Sequence, residues 1–254
     1  NAIRDAYLRT MASHRIDYLA GSVELGDFDA TSTTTTLSPA GGLAWLPPGS
    51  AERTFDRYWD DFVARRDGRK AWENYTPYEW RVVGTFVRLG QRERAWQVMD
   101  WFMGHRRPPA WNHWAEVVWP DPATPKFIGD MPHTWVGSDF IRSVLDMFAY
   151  ERFADSALVV GAGIRPEWVT EAPGVKVEGL HTHFGPLSLE MRRDGDVVRA
   201  RLSGALRPPP GGIIIRSPLS ARPTAALVNG RPAALTPGGE VVVRQAGVEV
   251  EFRY

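Results

Sequence analysis

"TPYEWRVVGTFVRLGQRERAWQVMDWFMGH", residues 76–105, decides the fold class of the first half of the chain. Thr76 stands as an N-cap, Pro77 takes the first helical position, and Glu79 follows the cap by three residues. That pattern opens a helix by satisfying its free N–H groups. A helix over 76–90 is expected to break at Leu89-Gly90-Gln91 and to be followed by a second over 91–105. Two helices joined by so tight a turn pack antiparallel.

The same signals extend in both directions. "AIRDAYLRTMASHRIDYLAG" (2–21) predicts a first helix closed by glycine, and "AERTFDRYWDDFVARRDG" (51–68) is amphipathic. "DATSTTTTLSPAGG" (29–42) is poor in helix propensity. Its small residues nevertheless suit a helix squeezed into a crowded interior, with Pro39 closing it. "PHTWVGSDFIRSVLDMFAYERF" (132–153) completes six helices in three pairs. The loops inside the pairs, 21–29, 68–77 and 106–132, are rich in carboxylates and aromatics, whereas those between pairs are bland. In an up-down stack alternate loops emerge on one end, so the three loaded loops are expected to converge.

Beyond Trp168 there is no tryptophan, and the pattern changes to short alternating strands. "PLSLEMRRDGDVVRARLSG" (186–204) reads as a hairpin about Asp194-Gly195, and Asn229-Gly230 marks a second tight turn. Strands at this spacing predict an antiparallel β-sandwich over 154–254, after a helical domain over 1–153.

Bulk properties exclude several functions. The 254 residues carry 30 basic and 30 acidic side chains, so the zero net charge gives no footprint for nucleic acid or an anionic membrane. No apolar run approaches the roughly 20 residues that span a bilayer. The absence of cysteine rules out thiol catalysis, disulfides and thiolate metal sites, and leaves the compartment open. The chain is helical in pattern from Ala2 and lacks both an initiator Met and a signal-peptide pattern, so it is expected to be a piece of a longer protein.

Chemistry concentrates in "RPPAWNHWAEVVW" (107–119), where Trp111, Trp114 and Trp119 surround Glu116. Indoles could stack on sugar rings while a carboxylate works at their centre. Alternatively, Glu116 pairs with Arg106 or Arg107, or holds a sugar hydroxyl without catalysis. Asp27 in "GDFD" is a candidate for sugar hydroxyls, whereas Asp29 is better explained as a helix cap. Glu79 and Arg81 begin a helix near the loaded loops, and Glu79 is also explained by a capping box. Trp72, Tyr75 and Tyr78 are candidate lining residues, and Trp80 a core residue. His133 and Trp135 open the last helix, where the helix dipole disfavours a cationic imidazole. Asp130 is most simply a cap, and His181 and His183 are structural. No metal or other cofactor is expected.

Together "ELGDFDATSTTTTLSP", "YTPYEWR", "AWNHWAEVV", "FIGDMPHTWVGSDFIRSVLDMFAYE" and "GLHTHFGPLSLEM" resemble the C-terminal region of bacterial six-hairpin glycosidases. These are the (α/α)6-barrel enzymes related to glucoamylases, trehalases, α-L-rhamnosidases and cellobiose-type phosphorylases. The resemblance implies the last three hairpins of a toroid followed by a β-sandwich. It also implies an oligo- or polysaccharide or glycoside substrate and an upstream half of the same polypeptide as partner. Glu116 then falls where these enzymes carry the general base, and the general acid belongs to the missing half. A sugar phosphorylase, a non-catalytic carbohydrate-binding module and an interaction protein are the alternatives.

Overall fold

The architecture is that of a computed structural model describing residues 2–72, 76–106, 108–117 and 131–254. Tyr75, Arg107, Trp119 and Asp130 lie outside the described residues. The chain divides into two compact units, Asn1–Ser143 and Val144–Tyr254.

Six helices organise the first part: α1 (Ala2–His14), α2 (Ala30–Leu37), α3 (Ser50–Arg66), α4 (Trp80–Arg88), α5 (Arg92–Gly104) and α6 (Thr134–Phe148), the last crossing the division. All six stand where the sequence predicts helix, but α4 begins only at Trp80, after a 3-10 turn, and two other ends differ. α1 stops at His14, because Arg15 turns left-handed with φ 54°. The loop that follows closes on Gly26, whose φ of 61° and contact with the His14 ring leave no room for a side chain. α6 stops at Phe148, and residues 149–152 form a strand instead of continuing the helix.

α4 is buried nearly all round, with Trp80, Val82, Val83, Phe86 and Val87 inaccessible to water. It packs against α5 across the tight turn and also against α2. The threonine helix α2 is tolerated in this interior because its hydroxyls bond back to the helix itself. Thr33 donates to the Ala30 carbonyl at 3.0 Å and Thr34 to the Thr31 carbonyl at 2.7 Å, so neither buried group goes unpaired. Trp80 is the aromatic centre. Phe140, Trp114 and Phe102 lie 4.9, 5.2 and 5.6 Å from it, and its carbonyl accepts from the Ser143 hydroxyl at 2.7 Å.

The second unit contains β1 (Ala149–Arg152), β2 (Ala157–Val160), α7 (Pro166–Thr170), β3 (Val175–Thr182), β4 (Gly185–Asp194) and β5 (Val197–Ser203). After these come β6 (Ile213–Ile215), β7 (Ala225–Val228), β8 (Arg231–Ala233), β9 (Val241–Val243) and β10 (Val248–Arg253). They form a four-stranded sheet, β1-β2-β6-β9, and a six-stranded sheet, β3-β4-β5-β10-β7-β8. Leu158, Ile213 and Val243 from one sheet meet Leu189, Leu202, Val250 and Phe252 from the other in a single apolar core. The sandwich is not wholly antiparallel as expected, because β2 and β6 run parallel. Asn229 and Gly230, both at positive φ, close the β7–β8 hairpin as their sequence demands. β8 at one margin contains Pro232, and β3 at the other has a register shift between Val177 and Leu180. Across the outer face, Glu190 opposes Arg201, which opposes Glu249.

Replacing Trp80 with alanine is expected to cost about 3–5 kcal/mol, because a large fully enclosed ring leaves a cavity that rigid neighbours cannot fill. Urea denaturation of the variant measures this, and a loss under about 1 kcal/mol would show that the aromatic cluster collapses around the gap.

Candidate functional site

A 3-10 turn, Pro77–Glu79, leads into α4 and directs successive side chains to different destinations. Thr76, extended at φ −120°, caps the turn by accepting the Tyr78 N–H, while its own hydroxyl donates to the Glu116 carbonyl at 3.0 Å. That bond joins two of the three loaded loops. Tyr78 then reaches the same neighbourhood. Its hydroxyl lies 3.4 Å from the Glu116 Oε1 and 2.5 Å from the His133 Nε2.

Arg81, the second residue of α4, braces this group from beside it. Its Nε donates to the Asp139 carboxylate at 2.6 Å, with both side chains largely buried. Its guanidinium lies 5.1 Å from the Tyr78 ring centre and 5.4 Å from that of Trp135. Trp135 packs edge-on to Tyr78 at 5.5 Å and leaves 60% of its surface to solvent. Glu116, Tyr78, His133, Arg81 and Trp135 therefore form one cluster of polar groups beside an exposed indole. His113 packs close by against Gly137 of α6. Burial, and secondarily the charge of His133, push its pKa below the ordinary 6.5.

Other sequence candidates have different surroundings. The Trp114 indole is buried, donates to the Phe102 carbonyl at 2.8 Å and packs on Trp80, so it belongs to the core and not to an exposed platform. Trp111 is 59% exposed on its own short turn. Trp72 lies tilted against Trp101 at 4.9 Å and stacked on His105 at 6.0 Å, with the Arg65 guanidinium 5.0 Å from its ring.

Glu79 turns inward. It accepts two hydrogen bonds from Arg65, at 2.8 and 2.7 Å, and a third from the Tyr58 hydroxyl at 2.6 Å. Burial alone would lower the Arg65 pKa, but the bonds and charge of Glu79 outweigh it and raise the value. Asp27 is exposed and braced within its own loop by the Ser22 hydroxyl at 2.7 Å and the Ser22 N–H at 3.0 Å. The hydroxyl bond is the main reason its pKa is lowered. No hydrogen bond or ion pair among the described residues links Asp27 to the Glu116 cluster. Asp29 caps α2, accepting from the Ser32 N–H at 3.1 Å. Arg106 turns to the Met103 carbonyl and to Asn112.

No family model, curated protein or solved structure matches this chain. Its chemistry has to be argued from its own residues. Among the described residues, no three metal-ligating side chains gather.

Asp139 and His113 are the members of this neighbourhood that the sequence did not single out. For Asp139 a signal was present: with Ser143 it places polar groups on the same helical face as the buried Val136. An acid interrupting an apolar stripe needs a partner, although nothing local identifies Arg81.

Glu79→Gln is expected to lose about 3 kcal/mol of stability, since it leaves the Arg65 charge buried with half its compensation. Urea denaturation tests this, and an unchanged midpoint would show that Asp61, 3.1 Å from Arg65, compensates alone. His113 gives a pH prediction. Its folded pKa is depressed, so the unfolded chain binds the proton better and stability falls as pH drops through 6.5. Thermal melts on either side of that pH should show a smaller drop for His113→Asn than for the parent. Equal drops would remove His113 from the explanation.

Proposed function

We propose that the chain is part of a carbohydrate-active enzyme, a glycoside hydrolase of inverting type in which Glu116 is the general base. One observation carries this reading: the Glu116 carboxylate, the Tyr78 hydroxyl and the His133 imidazole converge beside the exposed Trp135. An indole face binds the apolar face of a sugar ring, and a carboxylate next to it can take a proton from an attacking water. Water oxygen would bond to the anomeric carbon as Glu116 takes its proton. The glycosidic bond would break toward the leaving oxygen, which is protonated by a second carboxylic acid. The two carboxyl groups stand about 6.5–9.5 Å apart in such enzymes.

Two buried carboxylates of the helical part are already committed, Asp139 to Arg81 and Glu79 to Arg65. We therefore assign the acid to an upstream half of the same polypeptide, which would complete an (α/α)6 toroid with α1 to α6. A sugar phosphorylase remains the alternative, and its phosphate would have to be held by cations other than Arg65 and Arg81. Against a simple binding module stands the gathering of ionisable groups at the platform, which binding alone does not require. Trp135 and Trp111 are assigned to sugar stacking.

The test is a screen of the complete encoded polypeptide on glycans and aryl glycosides. Glu116→Gln should lower kcat at least about 100-fold, and Trp135→Ala should mainly raise KM. The 254-residue polypeptide alone should turn over nothing. Hydrolysis by that piece, abolished by Glu116→Gln, would put both carboxyls inside it. Sugar binding without turnover by the complete polypeptide would leave a binding module.

A further inference from the structure

Tyr78 carries one phenolic proton and touches two groups able to accept it, Glu116 Oε1 at 3.4 Å and His133 Nε2 at 2.5 Å. One proton cannot serve both. If the phenol donates to His133, Glu116 receives nothing from it. If His133 donates through Nε2, the phenol oxygen accepts, and its own proton turns to Glu116. An ionised carboxylate can only accept, so charge on Glu116 selects the second arrangement. The guanidinium of Arg81, 5.1 Å from the Tyr78 ring centre, strengthens the phenol as a donor to either acceptor, so the choice between them falls to the Glu116 charge.

We propose that His133, Tyr78 and Glu116 form one directed relay, with His133 Nε2–H donating to the phenol oxygen and the phenol O–H donating to Glu116. Tyr78 is then the positioning residue that aims the Glu116 carboxylate. Conversely, the presence of that carboxylate sets the tautomer of His133, as partners commonly do for imidazoles. Among the described residues, several neighbouring elements contribute to this balance. α4 supplies Arg81, α6 supplies Asp139 and Arg142, and the loop before Glu116 supplies His113; Glu79, on Tyr78's own turn, faces Arg65 instead. Burial holds His113 toward its neutral form, so it adds no fixed cation to those of Arg81 and Arg142.

The relay itself stands on geometry, while its kinetic consequence rests on Glu116 being the base. The experiment separates the two by recording ring-nitrogen NMR of isotope-labelled histidine in the full chain at neutral pH. The parent should show His133 protonated at Nε2. Glu116→Ala removes the acceptor, so the phenol should turn its proton to His133 and leave Nε2 bare. Tyr78→Phe should make the His133 signals indifferent to Glu116→Ala. It should also lower kcat about tenfold, less than the roughly 100-fold or more that a proton-transfer group itself contributes, with little change in KM.

Nε2 that stays protonated in Glu116→Ala would overturn the relay. A tautomer that switches as described, with kcat unchanged in Tyr78→Phe, would overturn the positioning role. A switching tautomer in a full chain that processes no glycoside would keep the relay and defeat the hydrolase reading. Glu116→Ala leaves Tyr78 and His133 in place, so the spectroscopic result stays readable even if Tyr78→Phe loosens the packing under Trp135.

Discussion

The bidentate contact between Arg65 and Glu79 holds the turn from which the candidate site hangs. Two parallel hydrogen bonds to a planar guanidinium fix direction as well as distance. The Tyr58 hydroxyl adds a third bond, and burial keeps water from competing. With Glu79 drawn inward, the residue before it is turned another way, toward Glu116 and His133. Pro77 limits the backbone freedom left between the cap and the carboxylate. Four consecutive residues, Thr76, Pro77, Tyr78 and Glu79, therefore serve as cap, hinge stop, relay and anchor. Such a pair contributes little net stability against an apolar replacement, but losing one partner is costly. Its value here is directional.

Outward from that turn, the helical unit grades from apolar to wet. Trp80, Phe102, Trp114 and Phe140 form a close-packed floor. Arg81 and Asp139 come next as a desolvated ion pair, and Tyr78, His133 and Glu116 follow at intermediate burial, beside the exposed Trp135. Arginine suits the middle layer better than lysine. Its edge meets a carboxylate while its flat face lies against two rings, so one side chain joins the ionic and aromatic parts of the cluster.

Local features of this fold were legible in the sequence, and long-range ones were not. The six helices announce themselves through caps, glycines and apolar spacing, and Asn229-Gly230 dictates its own turn. The early stop at Arg15 was hidden, because a left-handed arginine has no compositional signature. So was the parallel β2–β6 pairing, which brings together segments separated by β3 to β5. At the candidate site, loop parity pointed to three converging loops; 68–77 and 106–132 do meet, through Thr76 and Glu116, while among the described residues no bond of Asp27 ties 21–29 to them. Parity could not tell which tryptophan of 111–119 faces inward. Trp114 went to the core because its N–H reaches the Phe102 carbonyl, a partner supplied by a different helix. The role of Tyr78 was also unreadable, since it depends on His133, 55 positions away.

The margins of the six-stranded sheet bear on how copies of this chain meet one another. With no net charge, the chain has little long-range repulsion to keep molecules apart near neutral pH. A bare strand margin would then be a template for a neighbour's strand. At one margin Pro232 removes a donor from an already short strand, and at the other the shifted register of β3 breaks the row of N–H and C=O groups. On the face of that sheet, Arg201 already pairs with Glu249 at 2.9 Å within one molecule. Backbone chemistry at these two margins thus makes the six-stranded sheet a poor template, in a chain whose overall charge offers little protection.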